Sequence, residues 1–167
     1  MNVLPASLIA VLLALAPAGV LARSSDRSKP MDIDAGHSDY SMDDSRPTTL
    51  SGGVVLIQGT LDIRSNQAVV TTANGDPVRA VLTGGPVKMK QELDDGKPMT
   101  AVANKVDYDL KAEIVVFTGA VDIKQPSGSI AGERVVYNMK TGQVQGGGQD
   151  AGRVKIRIMP KTAQGGG

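Results

Sequence analysis

Apolar and charged residues alternate along most of this chain in runs too short for helices. Val87 and Met89 are set against Lys88 and Lys90, and Val121 and Ile123 against Asp122 and Lys124. Val106, Tyr108 and Leu110 alternate with Asp107, Asp109 and Lys111, and Val154, Ile156 and Ile158 with Lys155 and Arg157. A period of two puts each set on one face of a strand, so each strand has one buried and one wet face. After Leu21 no apolar set keeps a 3.6-residue period over three turns. The pattern predicts an all-β domain of the sandwich or jellyroll type, built from about 12–16 short antiparallel strands.

Punctuation between the runs supports this reading. Asn74-Gly75 separates "QAVVTT" from "VRAVLT", and Asn-Gly between β-branched runs is the strongest short hairpin signal because both central residues of a type I′ turn need positive φ. Asp95-Gly96 separates "VKMKQ" from "MTAVA" in the same way. The phrases "LSGGVVLIQ", "LTGGPVKMKQ" and "FTGAVDIKQ" share a small-residue step, an alternating run and a final glutamine. Between them stand related segments starting at Ile33, Ile63, Ala101 and Ile130. The unit reads as strand, turn, strand, repeated about four times, with Gly84-Gly85 and Gly119-Ala120 as the turns. A propeller would need longer units with more aromatic residues.

The first 22 residues carry no charged side chain, and Ala18, Val20 and Ala22 offer small-residue cleavage spacing before Arg23. Residues 1–22 are expected to be a secretory signal; the rival, an uncleaved membrane anchor, is opposed by Pro5, Pro17 and Gly19 within the span. Residues 23–30, "RSSDRSKP", read as a disordered leader, residues 31–159 as the β-domain, and residues 160–167 as a flexible tail.

Composition removes most chemistries. The 167 residues include no cysteine, no tryptophan, one phenylalanine and one histidine, and carry 18 basic against 17 acidic side chains. No field or stacking platform for nucleic acid is present in such a chain. His37 has no second histidine or cysteine to join it in a zinc or copper site, and there is no nucleophile turn for it to serve as a base. "DIDAG" at Asp32 opens like a calcium loop, but Asp43 stands where the closing Glu belongs. Asp43-Asp44 and Asp94-Asp95 fit turns, where Asp bonds locally. "QGGGQDAG" at Gln145 to Gly152 lacks the Lys-Ser/Thr of a phosphate loop and reads as a flexible connection. No enzyme activity, cofactor or metal is expected. A core of Val, Ile, Leu, Met and Ala leaves two options open: a thin, closely packed interior, or space for an apolar guest to which Met31, Met89 and Met99 adapt.

The repeated "TGxVxIxQ" followed by "I-x-A-[DN]-x-V-x-Y", the block "DDGKPMTAVANKVDYDLKAEIVVFTGAVDIKQ" and "IAGERVVYNMKTGQV" resemble the OstA-like family of lipopolysaccharide transport proteins, over about Pro30 to Ile158. The resemblance implies a β-jellyroll open at both ends whose interior receives the acyl chains of lipid A. It implies export to the periplasm and a bridge between an LptC-type inner-membrane protein and an LptD-type outer-membrane translocon, with copies associating head to tail. Together with alternation it implies that Met31, Ile33, Val87, Met89, Tyr108, Leu110, Val121 and Ile123 face the lipid. Partner contacts would lie on the edge strands: Asp32 and Asp34 at one end, Val154, Ile156 and Ile158 at the other. Two other readings are a membrane-anchored LptC-like component of the same pathway and a polysaccharide-binding or scaffolding β-module, the latter short of aromatic sugar platforms.

Overall fold

The computed structural model describes residues 24–41, 46–148 and 152–160. Nine strands run Met31–Asp39 (β1), Thr48–Gln58 (β2), Leu61–Ala73 (β3), Asp76–Glu92 (β4), Pro98–Asp109 (β5), Ile114–Gln125 (β6), Gly128–Asn138 (β7), Val144–Gly146 (β8) and Lys155–Ile158 (β9). From β1 to β8 each pairs with the next in chain order, and β9 pairs with β7. All pairings are antiparallel. Beside β7, β9 occupies the stretch Gly128 to Ala131 and β8 the stretch Val135 to Tyr137.

Turn chemistry set the hairpins where the sequence placed them. Asn74 and Gly75 take φ of 54° and 83°, with Ala73 opposite Asp76, as a two-residue turn of the primed type requires. Gly96 closes the next hairpin at φ 76°, where the Leu93 amide donates to the Lys97 carbonyl at 2.9 Å.

The expectation that Gly84-Gly85 and Gly119-Ala120 are turns is corrected. Both lie inside continuous strands, β4 and β6. The register slips between Thr83 and Val87 on β4 and between Thr118 and Val121 on β6, with matching slips on the neighbouring strands. These are β-bulges, which bend a strand without ending its ladder. Gly84 and Gly119 have φ of 84° and 80°, and a Cβ on Gly119 would stand 2.7 Å from the Asn104 amide of β5. Apart from a separate slip at Thr71 and Thr72 near the β3–β4 turn, each pairing from β1 to β7 carries one irregularity, and these fall opposite one another. They form one fold line across the sheet, along which it doubles over into two walls. Counting the arms on either side of that line separately recovers the dozen or more short strands expected; counted as continuous strands, nine are described.

The two walls close on a single core. One wall, made of arms such as 54–58, 61–65, 87–92, 98–103 and 121–125, turns Leu56, Ile63, Val87, Met89, Met99 and Ile123 inward. We call it the aliphatic wall. The other, made of arms such as 48–51, 67–73, 76–83, 105–109, 114–118 and 134–138, turns Leu82, Val106, Tyr108, Phe117 and Tyr137 inward, and we call it the aromatic wall. Each such side chain stabilises the fold by about 1.5–3 kcal/mol when fully buried. On β3 the buried positions pass from odd numbers (Leu61, Ile63, Ser65) to even ones (Ala68, Val70) across the fold line. Without that slip, strict alternation would have turned half the strand outward.

Two further expectations change. Within the stretch read as a disordered leader, Ser24–Ser28 is a 3₁₀ helix, held by polar contacts that composition does not reveal. Within the glycine-rich stretch, Gln145 and Gly146 belong to β8. Residues 1–23, including the expected signal, lie outside the described residues, as do Asp43, Asp44 and residues 161–167.

Candidate functional site

The doubled sheet makes a trough closed at the fold line and bordered on the opposite side by hairpin turns. The eight residues expected to face a guest lie on the inward side of the sheet, and Val87, Met89 and Val121 among them are enclosed in the packed core. Val87, Met89, Tyr108, Val121 and Ile123 are buried in the core, and Met31, Ile33 and Leu110 pack partly buried against it. Lys88, Lys90 and Lys124 lie exposed on the other face. Val87, Met89, Val121 and Ile123 fall inward as their alternation predicts because each run lies within one arm, whereas Leu110 lies in the turn beyond the end of β5.

Three open cavities lie along the trough's borders. One, of about 480 Å³, is lined by Ile33, Ala35, Leu50 and Val70 at the β1 end. A second, of about 430 Å³, brings Met31 and Gln58 together with Tyr108, Leu110, Arg27 and Glu113. The third, of about 400 Å³ at the β9 end, is lined by Met99, Ile123, Gln125, Ile130, Tyr137, Ile156 and Ile158. A further hollow of about 520 Å³ beside Gly84, Pro86, Val102 and Asn104 lies on the outer side of the fold line, since Val102 alternates with the buried Ala101 and Ala103.

The 3₁₀ helix straps the two walls together across the open side. The Thr60 hydroxyl donates to the buried Asp26 carboxylate and accepts the Glu92 amide at 3.1 Å, both on the aliphatic wall. Arg27 Nε meets the Glu113 carboxylate at 2.8 Å, and Arg27 donates to the Met139 carbonyl at 3.3 Å, both at turns of the aromatic wall. Burial beside this strap, reinforced by the Glu113 carboxylate and opposed by Arg27, pushes the Tyr108 phenol up to about 12. It therefore stays a neutral hydroxyl at physiological pH.

The edge residues divide. Asp32 and Asp34 lie exposed on β1, which pairs only with β2 among the described strands. Ile156 and Ile158 sit on β9, 62% and 82% exposed, whereas Val154 precedes that strand and is half-buried. The last strand begins one residue later than the alternation from Val154 to Ile158 suggested. His37 lies exposed on β1.

Sequence reasoning missed three kinds of inward residue. Leu82, Phe117, Val135 and Tyr137 on the aromatic wall were legible by the same alternation. Asp26 had no signal beyond its polarity. Gln58, Gln91 and Gln125 did have one: each closes a copy of the repeat at the inward parity of its arm.

A family model described as LptA/(LptD N-terminal domain) LPS transport protein matches residues 32–143. The lipopolysaccharide export system protein LptA of Haemophilus influenzae is 31% identical over 153 residues, covering 90% of this chain and 88% of that protein. Its namesake in Escherichia coli K12 is 30% identical over 141 residues, covering 83% and 76%. The crystal structure of LptH, the LptA homologous periplasmic component of the lipopolysaccharide transport device of Pseudomonas aeruginosa, aligns with a TM-score of 0.72 at 22% identity over 81% of this chain and 99% of that one. That last likeness is one of fold.

Proposed function

Because this chain belongs to the LptA and LptD N-terminal domain family of lipopolysaccharide transport proteins, we propose that it shields the acyl chains of lipid A inside its trough as they cross the periplasm. The observation that carries the reading is the continuous inward apolar track shared by both walls, bordered by open cavities. Each methylene removed from water is worth about 0.8 kcal/mol, so a multi-chain lipid needs such a lining to cross an aqueous space. Met31, Ile33, Met89, Val87, Tyr108, Leu110, Val121 and Ile123 provide it, and the exposed lysines of the outer face keep the protein soluble.

The single sheet ends in two edges, β1 on one side and β8 with β9 on the other. Such edges accept a further strand. Head-to-tail copies, an LptC-type protein and an LptD-type translocon would add there, with Asp32, Asp34, Ile156 and Ile158 at the joints. A contact between unlike edges leaves a free edge on each molecule, so where its rotation does not close a ring it extends the track from one molecule to the next. Export with cleavage after Ala22 should release a soluble periplasmic protein beginning near Arg23, and a membrane-retained chain would favour the anchored LptC-like alternative.

The test is site-specific photocrosslinking in cells. Probes at Ile33, Met89 and Leu110 should label lipopolysaccharide, and probes at Lys88 and Lys90 should not. Equal labelling on both faces would sink the interior assignment.

A further inference from the structure

The repeat places a glutamine at the same point of β2, β4 and β6: Gln58, Gln91 and Gln125, each at the border of the aliphatic wall. On β4 the inward series runs Val87, Met89, Gln91, Leu93, with Met99 of β5 directly opposite Gln91. Gln91 is 3% exposed, and neither its amide oxygen nor its amide nitrogen has a hydrogen-bond partner. A leucine or methionine there would match its surroundings. An amide left unpaired in such a place destabilises the empty protein.

Its neighbours in the row show what such an amide takes. Gln58 Nε2 donates to the backbone carbonyls of Lys29 at 3.2 Å and Arg27 at 3.5 Å. Across the trough, phenols face the row: Gln58 shares one cavity with Tyr108, and Gln125 shares another with Tyr137. Below this band the lining is hydrocarbon apart from Ser65, whose hydroxyl donates to the Gln67 carbonyl at 2.9 Å; at the band it offers amide and hydroxyl groups.

We infer that the glutamine row, with Gln91 at its centre, hydrogen-bonds the carbonyl linkages and hydroxyls at the head of each acyl chain, and so fixes how deeply the chain enters the trough. The inference rests on the lipid cargo proposed above. It names the neutral linkage region and not the phosphates, because Lys88 and Lys90, the cations flanking Met89 and Gln91, lie exposed on the opposite face. The ester or amide carbonyl would accept from Gln91 Nε2, and a chain hydroxyl would donate to Oε1.

The test compares two ligands on the mature full-length protein: lipopolysaccharide, and N-phenyl-1-naphthylamine, an apolar fluorophore with no carbonyl. Wild-type protein should bind both. Gln91→Leu should weaken lipopolysaccharide binding roughly three- to tenfold, the scale of one neutral hydrogen bond, leave naphthylamine binding unchanged, and raise the melting midpoint of the empty protein. Gln91→Met controls for shape and should behave alike. With carbonyl-labelled lipopolysaccharide, the bound carbonyl infrared band should lie at lower frequency on wild type than on Gln91→Leu. An equal loss for both ligands would reduce Gln91 to packing, and unchanged lipopolysaccharide affinity with an unchanged band would leave it no role in binding; either overturns the inference. Wild-type protein that binds naphthylamine but no lipopolysaccharide would instead overturn the cargo assignment, and this inference with it.

Discussion

The aliphatic and aromatic walls bury comparable faces with different side chains. The aromatic wall holds Phe117, Tyr108 and Tyr137, all fully or nearly fully buried, beside small partners such as Ala68 and Ala80. The aliphatic wall has no inward aromatic residue and holds Met89 and Met99 beside Leu and Ile. Aromatic rings bring large area with few rotamers, whereas Met re-packs around irregular partners. One wall is suited to keep its shape while the other adapts to what lies against it.

The largest expected effect tests that division directly. Phe117→Ala should cost about 3–5 kcal/mol in urea unfolding, whereas Met89→Leu should cost less than about 1.5 kcal/mol and still allow lipid photocrosslinking. Equal losses would erase the distinction between the walls.

The strap that joins the walls comes next. Asp26→Ala takes away the acceptor of the Thr60 hydroxyl and removes the anchor of the 3₁₀ helix on the aliphatic wall. A loss of about 1–3 kcal/mol is expected, with faster hydrogen exchange at Ser24–Ser28 and at the turn before Ile114. An unmoved midpoint would show that the walls hold together without it.

Smaller still is the alkaline response of the aromatic wall. The Tyr108 phenol is raised to about 12 in the folded protein, against about 10 in an unfolded chain. The unfolded state therefore loses its proton first, and stability should fall as pH rises from about 10 towards 12. Tyr108→Phe should remove that slope, as followed by thermal unfolding and tyrosinate absorbance. A slope unaltered by the substitution would mean that another group titrates there.

The smallest effect belongs to the outer face. Arg79 grips the Asp107 carboxylate at 2.5 and 2.8 Å, which holds that carboxyl below its ordinary value. Its contribution is present above the unfolded pKa, near 4, and is lost as pH falls through the lower folded value. Arg79→Met should flatten the acid limb slightly, as solvent screens so exposed a pair. A steep change would give the outer face a weight that its exposure argues against.

Much of the fold was legible because its rules are local. Asn74-Gly75 marked a hairpin, and alternation sorted Val87 and Met89 from Lys88 and Lys90. The fold line was not, since a turn and a bulge make the same demand for positive φ at Gly84 and Gly119. Only the continued pairing on either side tells them apart, and pairing is not local. Ser24–Ser28 was missed because it docks through Asp26 and Arg27 rather than through apolar side chains. At the candidate site the inward parity of the apolar residues was readable, while the burial of Gln91 was not, since the final glutamine of each repeat is polar and only the pairing opposite Met99 shows that it is enclosed.

The meander order of the strands makes the length of this protein independent of its bore. Neighbouring strands stand about 4.8 Å apart, so one more hairpin of the repeat would extend the passage by about 10 Å. Its calibre is set separately, by the length of each arm, from the four residues of 48–51 to the eight of 76–83, and by the line at which they bend. Duplication of a roughly thirty-residue unit is therefore growth along a single axis at constant cross-section, the same operation that adding a whole second molecule at β1 or β9 would perform.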